Sequence, residues 1–245
     1  MPRRLGQHFL NNSNILSRIA EAACPEPCPV VIEIGPGRGT LTRRLLDRAE
    51  RVVAIELDPY LARGLAGLSN RLEVVEADVL MTDLSQWGPA TVAGNLPYYI
   101  TSPIVEKVLA MGPLLRNFVC MTQLEVAERI TASSGVKEYG YLSVSVQSRC
   151  HAERLFTVPP GAFSPPPKVT SAVIRMAPKP PVVHPIGPFL EFVSRCFSQK
   201  RKTLRNNLRA VYNNRIEAEP EARMRAEQLS IPQLASLYER LAVAR

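Results

Sequence analysis

Four short apolar runs, each stopped by an acid or an amide, constrain this chain more than anything else in it. Val30-Val31-Ile32 runs into Glu33-Ile34, Arg51-Val52-Val53-Ala54-Ile55 into Glu56, Leu72-Glu73-Val74-Val75 through Glu76 to Asp78, and Ala90-Thr91-Val92-Ala93-Gly94 into Asn95. Helical patterns separate them, so the runs read as strands joined by crossover helices. Right-handed crossovers make such strands parallel, and their carboxyl ends then converge on one edge of the sheet. The first run is followed at once by Gly35-Pro36-Gly37-Arg38-Gly39, and helical spacing resumes at Leu41, Leu45 and Leu46. Strand, glycine turn and helix open a Rossmann-like α/β fold.

The polar residues at the strand ends narrow the ligand. The glycines are spaced G-x-G-x-G, and no lysine or hydroxyl follows in the phosphate-binding pattern, which argues against a triphosphate. Gly35 and Gly37 still permit close approach of a ligand to bare backbone. Glu56 after the second strand suits a ribose diol, and Asp78 after the third suits an adenine amine. A strand-end acid often caps the next helix, but that explanation fits one such residue better than four. A nucleoside-type cofactor follows.

Asn95-Leu96-Pro97-Tyr98 sits at the same edge. The Asn95 side-chain oxygen and the Leu96 carbonyl can accept the two hydrogens of an exocyclic amine, while Tyr98 stacks on the ring. Pro97 stiffens the turn and offers no competing N–H. A Pro-Tyr turn closing a strand, with Asn95 as a cap, is the plainer alternative for these four residues alone.

Beyond this point a helix is expected from Pro103 to Met111, a fifth strand from Asn117 to Met121, and an amphipathic helix from Gln123 to Ile130. Thr131 to Gly140 is expected to be a mobile loop, and Leu142 to Val146 is compatible with helix or strand. Leu155–Val158 and Val169–Met176 read as closing strands around the proline-rich stretch Pro159 to Lys168, which would hold Phe163 near the sheet edge. The prolines from Pro178 to Pro188 mark a linker. The expected division is therefore a Rossmann-like domain over 1–180 and a small helical domain over 181–245.

The charge pattern of the second part points to a polyanion. The chain of 245 residues carries a net charge of +8. From Phe192 to Ile216 it has Arg195, Lys200, Arg201, Lys202, Arg205, Arg209 and Arg215 and no acid. Charges without counter-charges are expected to face phosphate. The five cysteines have no paired spacing, which implies reduced thiols in a cytoplasmic setting. No apolar run approaches the roughly 18 residues of a membrane span, and no histidine lies in a metal-ligand pattern.

Gln7-His8-Phe9-Leu10, Glu33 to Gly39, Asn95 to Tyr98, Val158 to Val169 and Phe197 to Arg205 together resemble the ribosomal RNA adenine N6,N6-dimethyltransferases, and within them the small-subunit (16S) branch. The resemblance covers nearly the whole chain. It implies S-adenosyl-L-methionine as cofactor, no metal, and dimethylation of two adjacent adenosines near the 3′ end of small-subunit rRNA. Its implied substrate is a partly assembled small ribosomal subunit, met by a monomeric enzyme.

The resemblance also implies roles. Gln7, His8 and Leu10 would cover the methionine part of the cofactor, with Gly35, Gly37 and Asn95 around it. Glu56 would hold the ribose and Asp78 the cofactor's adenine. Asn95, Leu96, Pro97 and Tyr98 would hold the target adenine, and Phe163 would close on it. Lys200, Arg201, Lys202, Arg205 and Arg209 would contact RNA. Tyr99 and Arg38 depart from the usual pattern, where a polar residue and a leucine are commoner. Two rivals share the fold: a large-subunit rRNA dimethyltransferase of the macrolide-resistance type, and a non-catalytic assembly or transcription factor. Intact Asn95, Tyr98, Glu56 and Asp78 argue against the second. A dinucleotide oxidoreductase is disfavoured by the glycine spacing.

Overall fold

A computed structural model describes residues 8–242. The first unit, residues 1–127 and 151–178, is built on a seven-stranded sheet. In chain order its elements begin with β1 (Phe9–Leu10), α1 (Ser13–Ala23), β2 (Cys28–Ile34), α2 (Thr40–Leu46), β3 (Ala49–Glu56), α3 (Pro59–Leu65), β4 (Leu72–Glu76) and β5 (Ala90–Asn95). There follow α4 (Thr101–Leu109), β6 (Leu115–Gln123), β7 (Cys150–Val158), β8 (Phe163–Ser164) and β9 (Ser171–Pro178), while between β6 and β7 the chain forms α5 (Leu124–Thr131), which runs out of this unit, and α6 (Tyr141–Gln147), which lies outside it. The strand order is β4-β3-β2-β5-β6-β9-β7. β4, β3, β2, β5 and β6 are mutually parallel, and β9 runs antiparallel to β6.

The chain leaves β2 for β3 on one side and crosses to β5 on the other, so the order reverses beside β2. Such a reversal opens a crevice at the carboxyl ends of the strands. β2 is buried because it is central: Val31, Ile32 and Ile34 are almost wholly enclosed. The β2–β5 pair is held unusually close at Gly94, where an added Cβ would lie 2.5 Å from the Ile34 carbonyl oxygen.

α1 packs on α2 and β6. Asn12 caps its start by accepting the Ile15 N–H at 3.1 Å, and Asn117 donates to the carbonyls of Ala22 and Ala23 at 3.0 Å each, satisfying its last turn. β1 and β8 form a separate two-stranded ribbon with Leu10 opposite Phe163 and Phe9 opposite Ser164. The proline-rich stretch is thereby tied to the start of the chain.

The second unit comprises residues 128–150 and 179–245. Its later helices are α7 (Ile186–Cys196), α8 (Leu204–Tyr212) and α9 (Ile231–Ala242). This differs from the expected bounds of 1–180 and 181–245: the break near Pro178 is there, but residues 128–150 cluster with the helical part. The reason is hydrophobic. Ala132, Tyr139 and Val144 are buried in one core with Phe189, Phe192, Leu204, Leu208 and Leu237. Tyr139 is only 1% exposed, and Gly135 N–H donates to the Glu227 carbonyl at 2.8 Å. The segment expected to be a mobile loop over 131–140 is therefore pinned at two points, and the ambiguous 142–146 stretch is the helix α6.

The basic run also differs in detail. Lys200, Arg201 and Lys202 occupy a turn ahead of α8 rather than a helix. Arg205 and Arg209 share one exposed face of α8, alongside buried Leu204 and Leu208. They were expected to lack internal partners, yet both approach Glu217, at 3.5 and 3.8 Å, and Lys200 lies 3.8 Å from Glu227. Glu217 falls just outside the acid-free stretch and Glu227 further along the chain, and folding brings both back. All are surface pairs, each worth at most about 1 kcal/mol.

Candidate active site

A cavity of about 350 Å³ opens at the carboxyl ends of the parallel strands. It is lined by residues from β1, by Glu33 to Gly37, by Ile55 to Leu57, by Ala77 to Val79, and by Asn95 to Ile100. The predicted Glu56, Asp78, Asn95, Leu96, Pro97, Tyr98, His8, Leu10, Gly35 and Gly37 all line it. Gln7 lies outside the described residues.

The floor is made by two carboxylates on neighbouring strands. Glu56 is 5% exposed. One of its oxygens accepts the Gly37 N–H at 3.0 Å and the other the Asp58 N–H at 2.9 Å. This side chain therefore sets the glycine turn, and each oxygen retains acceptor capacity for a ligand hydroxyl. Gly35, Gly37 and Gly39 all have positive φ, at 66°, 57° and 75°. At Gly37 a Cβ would also stand 3.1 Å from the Phe9 ring, which Arg38 covers with its guanidinium 4.4 Å from the ring centre.

Glu33, one strand over, is 1% exposed. Its Oε2 and the nearby Thr42 Oγ1 are both buried without a hydrogen-bond partner among the described residues. Burial pushes the Glu33 carboxyl up to about 8, the Thr42 hydroxyl opposes this, and the Glu56 charge adds a smaller upward push. The folded protein thus holds a proton here that the unfolded chain releases in the ordinary carboxylate range. Stability from this group is full below that range and is lost as pH rises towards 8. Glu33→Gln, permanently neutral, is expected to flatten the fall in melting temperature between about pH 5 and 8. An unchanged pH profile by thermal denaturation would assign that fall to other groups.

On the other side of the switch point, Asn95 ends β5. Its Nδ2 donates to the His8 carbonyl at 3.1 Å, a contact spanning 87 positions of chain. With the NH2 end committed, Oδ1 is the acceptor left over. Leu96 is buried and its N–H donates to the Met121 carbonyl at 3.0 Å, which locks the turn to β6. Tyr98 is held by a 2.6 Å hydrogen bond between its hydroxyl and that of Ser171. Burial raises the Tyr98 pKa, with the Ser171 bond opposing, so the ring is a neutral phenol at physiological pH.

Asp78 serves its own turn, accepting the Leu80 N–H on Oδ1 at 2.9 Å, and it remains partly exposed in the cavity wall. Two residues behave differently from expectation. Phe163 is 5% exposed, belongs to the core with Leu10, Val158 and Val173, and does not line the cavity. In this arrangement it plugs the space beneath its loop rather than facing a target base. Local pattern marks Glu33 only as a strand terminator, yet it is the most buried acid lining the cavity. Its signal in the sequence is a charge inside an otherwise unbroken apolar run.

Among the described residues no three His, Cys, Asp or Glu side chains are arranged to hold a metal, and no helix is long and apolar enough to cross a membrane.

The model of the family described as ribosomal RNA adenine dimethylase matches residues 2–243. A protein of Acinetobacter baylyi named ribosomal RNA small subunit methyltransferase A is 39% identical over 251 residues, covering 98% of this chain and 92% of its own. The crystal structure of a dimethyladenosine transferase from Plasmodium falciparum superposes with a TM-score of 0.80 at 28% identity, covering 97% of both chains. That of the 23S rRNA methyltransferase ErmE gives 0.71 at 33% identity, covering 96% of this chain and 99% of the other. With the sheet order, the glycine turn and the amide-proline-tyrosine turn all in place, this chain belongs to the ribosomal RNA adenine dimethylase family.

Proposed function

We propose that the chain transfers methyl groups from S-adenosyl-L-methionine to N6 of two adjacent adenosines near the 3′ end of 16S rRNA, acting in the cytoplasm as a monomer on the maturing small subunit. The observation that carries this reading is one cavity bordered by both the buried strand-end carboxylate Glu56 and the Asn95–Tyr98 turn. The first suits a nucleoside cofactor, the second an adenine. The small-subunit branch is supported by relatives named small subunit methyltransferase A at 39–42% identity over nearly the whole chain.

The site fits the cofactor chemically. Glu56 offers acceptors for ribose hydroxyls, and Asp78 retains an oxygen for the adenine amine. The cofactor, when bound, supplies a methyl already activated by positive sulfur. What remains for the protein is the weakly nucleophilic amine, whose lone pair is spread into the purine ring. Asn95 Oδ1 and the Leu96 carbonyl accept its two hydrogens and so direct the lone pair out of the ring plane. Tyr98 stacks on the ring once the base has left its loop, offsetting part of an unstacking cost of a few kcal/mol. The phenol stays protonated, and the amine's proton passes to water after transfer, so no general base is assigned. Positioning of this kind contributes up to roughly 7–11 kcal/mol in favourable cases.

Incubating the protein with unmethylated small subunits and S-adenosylmethionine should yield N6,N6-dimethyladenosine by nucleoside mass spectrometry, at two residues per subunit. Product appearing only in large-subunit rRNA would overturn the small-subunit reading, and no product at all would overturn the activity.

Lys200, Arg201, Lys202, Arg205 and Arg209 are assigned to rRNA phosphates. Arg201 and Lys202 give the cleaner test, because Arg205 and Arg209 already engage Glu217. Arg201→Glu with Lys202→Glu should weaken subunit binding and reduce the log–log salt slope by roughly one per lost phosphate contact. Cofactor affinity should stand. Unchanged subunit binding would mark this turn as a solvated surface.

A further inference from the structure

We propose that Cys24 and Cys28 are a peroxide-responsive dithiol that closes reversibly to a disulfide at the amino-terminal edge of the sheet. Cys24 follows the last turn of α1 and Cys28 opens β2, so the pair lies at the opposite end of the strands from the cavity.

Both are free thiols, and the fold brings them together. Arg48 holds both backbones: its carbonyl accepts the Cys28 N–H at 3.0 Å, and its guanidinium donates to the Cys24 carbonyl at 3.0 Å. Pro25 and Pro27 stand in the short turn between them and fix two of its φ angles. The side chains meet in one core cluster, where the Cys24 thiol is hydrogen-bonded to Cys28. The Cys28 S–H donates to the Glu26 carbonyl at 3.5 Å, which leaves its sulfur as the acceptor towards Cys24. A disulfide needs the sulfurs about 2.05 Å apart, and side-chain rotation supplies that closure from hydrogen-bond contact.

The two thiols differ in access, and this sets the order of events. Cys24 is buried, whereas Cys28 is partly exposed. Burial raises the Cys24 pKa and the Cys28 contact adds to it, with Arg48 opposing, so Cys24 keeps its proton. Cys28 is therefore the sulfur that a peroxide meets. It attacks one peroxide oxygen, the O–O bond breaks, and a sulfenic acid and water result. The Cys24 sulfur then attacks the Cys28 sulfur. The S–O bond breaks, and the hydroxyl leaves as water with the Cys24 proton. Two thiols have lost two electrons, and one hydrogen peroxide has become two waters. A dithiol reductant reverses the bond by exchange.

The pairing protects the core. Thr91 Oγ1, on a buried residue, lies 3.9 Å from Cys28 Sγ. Without Cys24 to intercept it, the sulfenic acid would oxidise further to a sulfinate and set an ion against this cluster. The disulfide adds no charge, and the last carbonyls of α1 stay satisfied by Asn117 and Arg48.

The test treats the full chain with excess hydrogen peroxide, alkylates the remaining thiols after unfolding, and maps the tryptic peptide from Ile19 to Arg38, which carries both cysteines. That peptide should lose two hydrogens and both alkylation sites, and dithiothreitol should restore them. Cys120, Cys150 and Cys196 are buried and should remain alkylatable. In Cys24→Ser the Cys28 sulfur should pass to a sulfinic acid that dithiothreitol does not reverse. That treated variant should melt about 4 °C or more below its untreated form, whereas treated wild type should melt no lower than untreated. An intact Cys28 in treated wild type, or equal sulfinic acid in wild type and Cys24→Ser, would overturn the proposal. So would a disulfide joining either cysteine to one of the other three. Should Cys24→Ser fail to fold, Cys24→Ala replaces it, and the wild-type map decides the disulfide without either variant.

Discussion

Asn95→Ala is expected to lower the single-turnover methyl-transfer rate about 10²-fold or more while leaving cofactor affinity close to that of the unaltered protein. The magnitude follows from what the amide does at each end. In the proposed reaction Oδ1 accepts from the amine and localises its lone pair, while Nδ2 holds the His8 carbonyl. Alanine removes both at once. Asn95→Asp separates them, since it keeps an acceptor oxygen but sets a second oxygen against the His8 carbonyl. It should also be slow, and the remaining activity should fall as the carboxylate ionises. A rate near wild type for Asn95→Ala, measured with enzyme in excess over subunits, would remove the amide from the chemistry.

The second large effect is structural and falls one residue earlier. Gly94→Ala should destabilise the protein by about 3 kcal/mol or more, because the new Cβ would meet backbone rather than a flexible side chain. The obstructing atom is the Ile34 carbonyl oxygen at 2.5 Å. β2 and β5 are both interior strands, in register from Val31 opposite Thr91 to Ile34 opposite Gly94, so neither can move aside alone. For a protein of this size the cost corresponds to a melting temperature lower by roughly 6–12 °C. A scanning-calorimetry shift under about 2 °C would mean the strands separate more easily than this spacing implies. Any variant that folds should also bind cofactor poorly, since Gly94 sets the separation of the Gly35 turn from Asn95.

Glu56, Asp78 and Asn95 are assignable to one edge of the sheet from local pattern, and they line one cavity there, because the fold converts that pattern into position. A strand's end is marked by its own residues, and right-handed parallel crossovers then bring successive ends to one edge. The glycine turn is local for the same reason: Gly35, Gly37 and Gly39 take positive φ within five residues of each other. The basic run was likewise visible as composition, and the break near Pro178 as a cluster of prolines.

Only tertiary structure decided the rest, and in each case the deciding contact joins distant residues that no short-range period connects. Phe163 could be a base-facing ring or a core plug; its pairing with Leu10 and its burial beside Val158 and Val173 made it a plug in this arrangement. The 131–140 stretch looked like a polar mobile loop, yet buried Tyr139 and the bond to Glu227 hold it in the second unit. Arg205 and Arg209 sit in a stretch without acids, but Glu217 returns to them across the surface. Glu33 is one charge in an apolar strand, and only complete enclosure makes it an acid that keeps its proton to about pH 8. Periodicity determines which residues end a strand or face a core. Burial and pairing depend on what the remainder of the chain brings alongside, and that is settled when the chain closes on itself.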